Sequence, residues 1–194
     1  MSRRLAFSQR GYLVVRRFLP PDMLDFLRVY FRVLRANNRL SPDTYCPESL
    51  SLGGDGALDA VVEWARPRVS RLVDQELAST YSYTRVYAKG DTLAPHKDRR
   101  SCEISVTAPI EIPSGAPPST LMLKPDGSVA KRVDLSEGDA CIYAGPLVEH
   151  WREPFETSGQ VQLFLHYIRV EGEHFPDLVF DGRRFLGAVA ATEA

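Results

Sequence analysis

From Tyr81 onward the chain breaks into short β-branched or aromatic segments separated by turn clusters, and this texture limits the fold more than any other feature. The segments cover 81–88, 102–110, 120–123, 131–135, 140–143 and 161–170. Ahead of them, Met23, Phe26, Leu27, Tyr30, Val33 and Leu34 recur at helical spacing. Leu58, Val61, Val62, Ala65, Val69, Leu72 and Val73 repeat the pattern, with Pro67 expected to kink or restart that helix. A strand within 11–19, stopped by Pro20-Pro21-Asp22, should open the fold. Helices followed by a run of strands predict an α+β domain in which helices buttress an antiparallel β barrel or jelly roll. The 194 residues suit one domain, with helical support over about 20–79 and a barrel core over about 81–170. Between the helices, 37–56 is rich in Pro, Ser, Gly and Asp and reads as a long loop and a candidate lid.

Charge excludes some partners. With 24 basic and 25 acidic side chains there is no global field to attract nucleic acid or an anionic membrane. No apolar run approaches the roughly 20 residues of a membrane span. The first apolar stretch is broken by arginines and lacks a small-residue cleavage site, so a cytoplasmic protein is expected. Cys46, Cys102 and Cys141 are odd in number and lack paired spacing, which predicts reduced thiols.

Chemistry concentrates in His96-Lys97-Asp98. On extended chain two residues that far apart project to the same side, so both can face one metal ion. His150 lies shortly beyond the segment Gly138-Asp139-Ala140-Cys141-Ile142-Tyr143 and supplies a candidate third ligand. Two imidazoles and a carboxylate on one face of an octahedral ion leave three positions open, the donor set of non-haem iron(II) oxygenases. A bidentate 2-oxo acid and dioxygen would fill those positions.

The stretch Arg85-Val86-Tyr87-Ala88-Lys89-Gly90, then His96-Lys97-Asp98, Gly138-Asp139-Ala140, His150 and Pro154 resembles the 2-oxoglutarate and iron(II)-dependent oxygenase superfamily, on its prolyl 4-hydroxylase-like branch. The resemblance spans about residues 11–168. It implies a double-stranded β-helix (jelly-roll or cupin-like) core buttressed by N-terminal helices, with His96, Asp98 and His150 as catalytic metal ligands. It also implies Fe(II), 2-oxoglutarate and O2 as cofactor and co-substrates, and ascorbate as a reductant. The retained Asp98 favours hydroxylation, because related halogenases replace that carboxylate with a small residue. A free amino acid or another small molecule is the expected substrate, and a homodimer is compatible with the pattern.

One position departs from the resemblance. The family clamps the distal carboxylate of 2-oxoglutarate with Arg or Lys about ten residues past the second histidine, where this chain has Gln160. Alternation points Gln160, Gln162, Phe164 and His166 to the barrel side of the last strand, with no permanent cation among them. A buried carboxylate needs a charged or multi-donor partner. Arg152 is the first candidate, followed by Arg85 and Tyr87, which share a strand face; Gln160, Gln162 and His166 complete the co-substrate set. Arg99, Arg100 and Trp151 are candidate substrate contacts. The missing cation also motivates a rival reading, a cupin-like metal-binding module or inactive relative without oxygenase turnover.

Overall fold

The computed structural model describes residues 3–188. In chain order the elements are α1 (Arg3–Arg10), β1 (Tyr12–Val15), α2 (Pro21–Ala36), β2 (Ser41–Pro42), β3 (Leu50–Gly53), α3 (Gly56–Val73), β4 (Leu77–Tyr87) and β5 (Leu93–His96). They continue with β6 (Ile104–Glu111), β7 (Ser119–Lys124), β8 (Lys131–Leu135), β9 (Ala140–Tyr143), β10 (Glu149–Arg152) and β11 (Gln160–Arg169).

These strands form two antiparallel sheets. One runs β1-β9-β6-β11-β4-β3-β2 and the other β5-β10-β7-β8. Side chains of the two sheets meet: Arg152 on β10 donates to Thr107 on β6, and Gln160 on β11 donates to Ser119 on β7. From β4 to β7 and again from β8 to β11 the chain alternates between the facing sheets, with β7 and β8 paired as a hairpin within one of them; this is the double-stranded β-helix expected from the sequence, and the chain is α+β.

Local chemistry accounts for the helices. Pro21 begins α2, where its missing N–H is no loss, and Leu27, Phe31 and Leu34 are buried along one stripe. The Asp55 carboxylate accepts from the amides of Ala57 and Leu58 at the start of α3, and Asp74 ends that helix in the left-handed region. Pro67 neither restarts nor divides α3, which is one continuous helix. Its buried face, from Leu58 through Val73, holds it against the sheet despite the lost backbone donor.

Strand β11 separates two environments. Val161, Leu163, Leu165 and Tyr167 join the apolar core, and the Tyr167 hydroxyl donates to the Val62 carbonyl of α3 at 2.9 Å. Gln160, Gln162 and His166 turn to the barrel interior, as alternation predicts.

The segment 37–56 is not the free loop expected. It forms β2 and β3, and β3 extends the sheet beside β4 with Leu50 opposite Val86. Asp43 pins it: Oδ1 accepts from the amides of Tyr45 and Cys46, and Oδ2 accepts from Tyr83 and Arg85. Strands this short, rich in Ser and Pro, carry too little alternation to announce themselves. No helix among the described residues is long and apolar enough to cross a membrane.

Candidate metal centre

Antiparallel pairing of β5 with β10 sets His96 directly opposite His150, with ring centroids 4.2 Å apart. Each Nδ1 lies against a backbone carbonyl two residues earlier, Ala94 at 2.8 Å and Val148 at 2.9 Å. A carbonyl only accepts, so each Nδ1 carries a proton and Nε2 is the ring atom left to face Asp98. Asp98 leaves strand geometry after β5, its amide donating to the Gly145 carbonyl at 3.0 Å. Its Oδ1 then sits 3.4 Å from His150 Nε2 and 3.7 Å from His96 Nε2. Its Oδ2 accepts from the Ser105 hydroxyl at 2.7 Å.

A glycine is required beside this group. A Cβ at Gly145 would stand 2.5 Å from Asp98 Oδ2 and 2.4 Å from the Cys102 carbonyl. The protonation states suit a cation. Burial alone would raise the Asp98 carboxyl, but the hydrogen bond and charge of His150, then the charge of His166 and the Ser105 hydroxyl, hold it down to about 2. Burial, followed by the charge of His150, lowers the His96 imidazole and favours its neutral form. Metal binding needs a deprotonated carboxylate and neutral imidazoles.

Two residues along β10, Arg152 points the same way as His150 and is 1% exposed. Its Nη1 donates to Ser119 Oγ at 2.9 Å and to the Thr120 carbonyl at 2.8 Å, and Nη2 donates to Thr107 Oγ1 at 3.1 Å. Nε has no partner, and no carboxylate among the described residues pairs with this guanidinium. Glu149, a neighbour that could have drawn it to the surface, lies instead beside Lys124. Around Arg152 stand the Tyr87 ring, 5.6 Å from Cζ, and the Gln160 and Gln162 amides, within 2.8 Å of Ser119 Oγ and 2.7 Å of Thr107 Oγ1 respectively.

The other candidates divide. Arg85 is buried but already paired, its Nε donating to Asp43 at 2.7 Å and its Nη1 to the Tyr87 hydroxyl at 3.1 Å. His166 is buried, with Nδ1 3.0 Å from Ser105 Oγ and its ring 4.6 Å from that of Tyr81; burial above all pushes it down to about 4, so it is neutral near pH 7. Arg99 stacks over Tyr81 and forms a two-bond fork to Asp181, at 3.0 and 2.8 Å. Arg100 is exposed, on a short 3-10 turn. Trp151, between two inward residues, faces away from the barrel opposite Met122. Ser105, Thr107, Ser119, Asp43 and Gly145 escaped the sequence reading. Ser105 and Thr107 share a period-2 face and could have been found.

No protein-family model and no curated protein matches the sequence. Solved structures do match the fold. A prolyl-4-hydroxylase from Pseudomonas putida aligns with a TM-score of 0.66 at 15% identity, over 84% of this chain and 95% of the other. A prolyl hydroxylase from Trichoplax adhaerens, solved with a hypoxia inducible factor peptide, aligns with a TM-score of 0.70 at 12% identity, over 84% and 86%. HygX from Streptomyces hygroscopicus, solved with nickel and 2-oxoglutarate, aligns with a TM-score of 0.67 at 13% identity, over 96% of each chain. The chain therefore has the double-stranded β-helix fold of the solved 2-oxoglutarate and iron(II) oxygenases.

Proposed function

We propose that this protein is a non-haem iron(II) and 2-oxoglutarate-dependent dioxygenase, His96, Asp98 and His150 holding the metal and Arg152 anchoring the co-substrate. The observation that carries the reading is the pairing of an open nitrogen and oxygen donor set with a buried, unneutralised cation. Ligand atoms of His96, Asp98 and His150 lie within 4.8 Å of one another, and the Asp98 carboxylate and His96 imidazole are held toward the charged and neutral forms that bind a divalent ion. When bound, iron(II) with 2-oxoglutarate and O2 supplies the oxidation of a C–H bond, with release of succinate and CO2.

The chain's own residues do the positioning. Ala94 and Val148 fix both imidazole tautomers, and Ser105 orients Asp98. His150 and Arg152 are successive inward positions on β10, about 7 Å apart along the strand. That separation matches a five-carbon diacid chelating at one end and ion-paired at the other. A lone guanidinium in a low-dielectric interior is costly, and a ligand carboxylate removes the cost. Arg152 thus takes from β10 the role that the family gives to a cation on the last strand, and Ser119, Thr107, Gln160 and Gln162 orient its fork. The adjacent Tyr87 hydroxyl closes the same pocket.

HygX has also been solved with hygromycin B, and the Trichoplax enzyme with a peptide, so this fold accepts both substrate sizes. We favour a small molecule or free amino acid for this chain, hydroxylated within a single cytoplasmic domain, with Arg99, two bonds of which go to Asp181, as a candidate substrate contact. Balanced charge supports no nucleic-acid partner. The rival reading, a metal-binding module without turnover, draws on Gln160 and loses force once Arg152 supplies the cation. The test is succinate formation from 2-oxoglutarate with iron(II) and ascorbate. Iron-loaded protein that neither releases succinate nor binds 2-oxoglutarate in calorimetry would sustain the rival.

A further inference from the structure

We propose that Asp98, Cys102 and His166 form a second metal site, which takes zinc(II) through the Cys102 thiolate. Their ligand atoms lie within 4.8 Å of one another, as do those of His96, Asp98 and His150. Cys102 closes the 3-10 turn that follows Asp98, and His166 reaches the cluster from β11. Cys102 and His166 are buried and Asp98 is half-buried, and the space a Cβ would take at Gly145 is already filled by Asp98 Oδ2 and the Cys102 carbonyl.

The donor set differs from its neighbour's. Thiolate and imidazole together select zinc over iron(II) or magnesium, and zinc also lies above iron(II) in intrinsic affinity. Zinc bonds of about 2.0–2.3 Å require the three groups to close in on the ion by side-chain rotation. The two oxygens of Asp98 divide the work: Oδ1 faces His96 and His150, while Oδ2 faces Ser105, whose hydroxyl also touches His166 Nδ1. That hydroxyl is placed to become a fourth ligand. Tyr81 places its hydroxyl 3.2 Å from Cys102 Sγ. Binding replaces the S–H bond with a Zn–S bond and releases one proton to solvent, with no change of oxidation state. Because Asp98 is shared, zinc bound here draws on the carboxylate that the His96 and His150 site needs. The cluster is a zinc-sensitive brake beside the proposed iron centre, although its existence does not rest on that reading.

The test is titration of the metal-free, full-length protein with cobalt(II), then zinc(II). A thiolate-to-cobalt charge-transfer band in the near ultraviolet is expected, bleached by zinc. It should vanish in Cys102→Ser, weaken at least tenfold in apparent affinity in His166→Gln, and persist in Cys46→Ser, Cys141→Ser and His150→Ala. Circular dichroism matching the parent verifies the fold of each variant. No band, or one that survives Cys102→Ser, overturns the proposal. Cobalt binding that depends on His150 but shows no thiolate band sinks this site and leaves the iron reading standing. A thiolate band without any His150-dependent site does the reverse.

Discussion

Replacing Arg152 with glutamine should cost the protein most of its affinity for 2-oxoglutarate while sparing the metal. The buried guanidinium makes three hydrogen bonds to protein and leaves Nε unpartnered, and no carboxylate among the described residues pairs with it. In the proposed complex it gains two charge-assisted bonds to the distal carboxylate. At about 1.5 kcal/mol each the two are worth about 3 kcal/mol, or roughly 150-fold in Kd. Calorimetry on manganese(II)-loaded protein without oxygen reads this directly. Thermal denaturation gives a second reading: at 2-oxoglutarate one hundred times the parental Kd, ligand stabilises the parent by about 2.7 kcal/mol, and the same concentration should stabilise Arg152→Gln by only about 0.3 kcal/mol. A Kd within threefold of the parent's would refute the reasoning. So would equal destabilisation with and without ligand, because that is the mark of a purely structural arginine.

Gly145→Ala should displace the Asp98 carboxylate, since the added Cβ falls 2.5 Å from Oδ2; metal affinity by calorimetry should drop at least tenfold, and unchanged affinity contradicts the account of this glycine. Asp43→Ala leaves Arg85 buried without its counter-ion, so urea denaturation should register a loss of about 3–5 kcal/mol, and a loss under about 1 kcal/mol would mean that the segment 37–56 is not pinned there. Glu103 tests acid stability. Burial would raise its carboxyl, but the side chain and amide of Arg169 lower it overall. Its folded pKa is therefore below the unfolded value of about 4.3, so its contribution is complete above that pH and is lost as pH falls through the folded value. Glu103→Gln should flatten the fall in denaturation midpoint across this acid window, and an unchanged profile would contradict the assignment.

Much of the frame was readable because alternation is strong where one strand face is apolar. Strands β8 and β9 fall where the pattern of 131–135 and 140–143 set them, and α2 follows the stripe of Leu27, Phe31 and Leu34. Strand β10 escaped notice for the opposite reason. Its inward positions are His150 and Arg152 rather than apolar residues, so the site itself erased the hydrophobic period. Strand β5 hid similarly, with Pro95 and His96 in four residues. The faces of β11 were legible, and with them the missing cation at Gln160. The answer was less legible: Arg152 stands beside Glu153 and three residues from Glu149 in sequence, and only the strand's pairing turns it inward, away from Glu149. Nothing in one dimension links Asp43 to Arg85 or Asp181 to Arg99, because such contacts arise from closure of the sheet and the return of the chain's end.

The most direct test is a crystal structure of the protein grown without oxygen in manganese(II) and 2-oxoglutarate, with the metal located by anomalous scattering. The account predicts one ion bonded to His96 Nε2, Asp98 Oδ1 and His150 Nε2, and the far carboxylate of 2-oxoglutarate forked on Arg152. An ion away from those three atoms, or a co-substrate whose far carboxylate ignores Arg152, would contradict it.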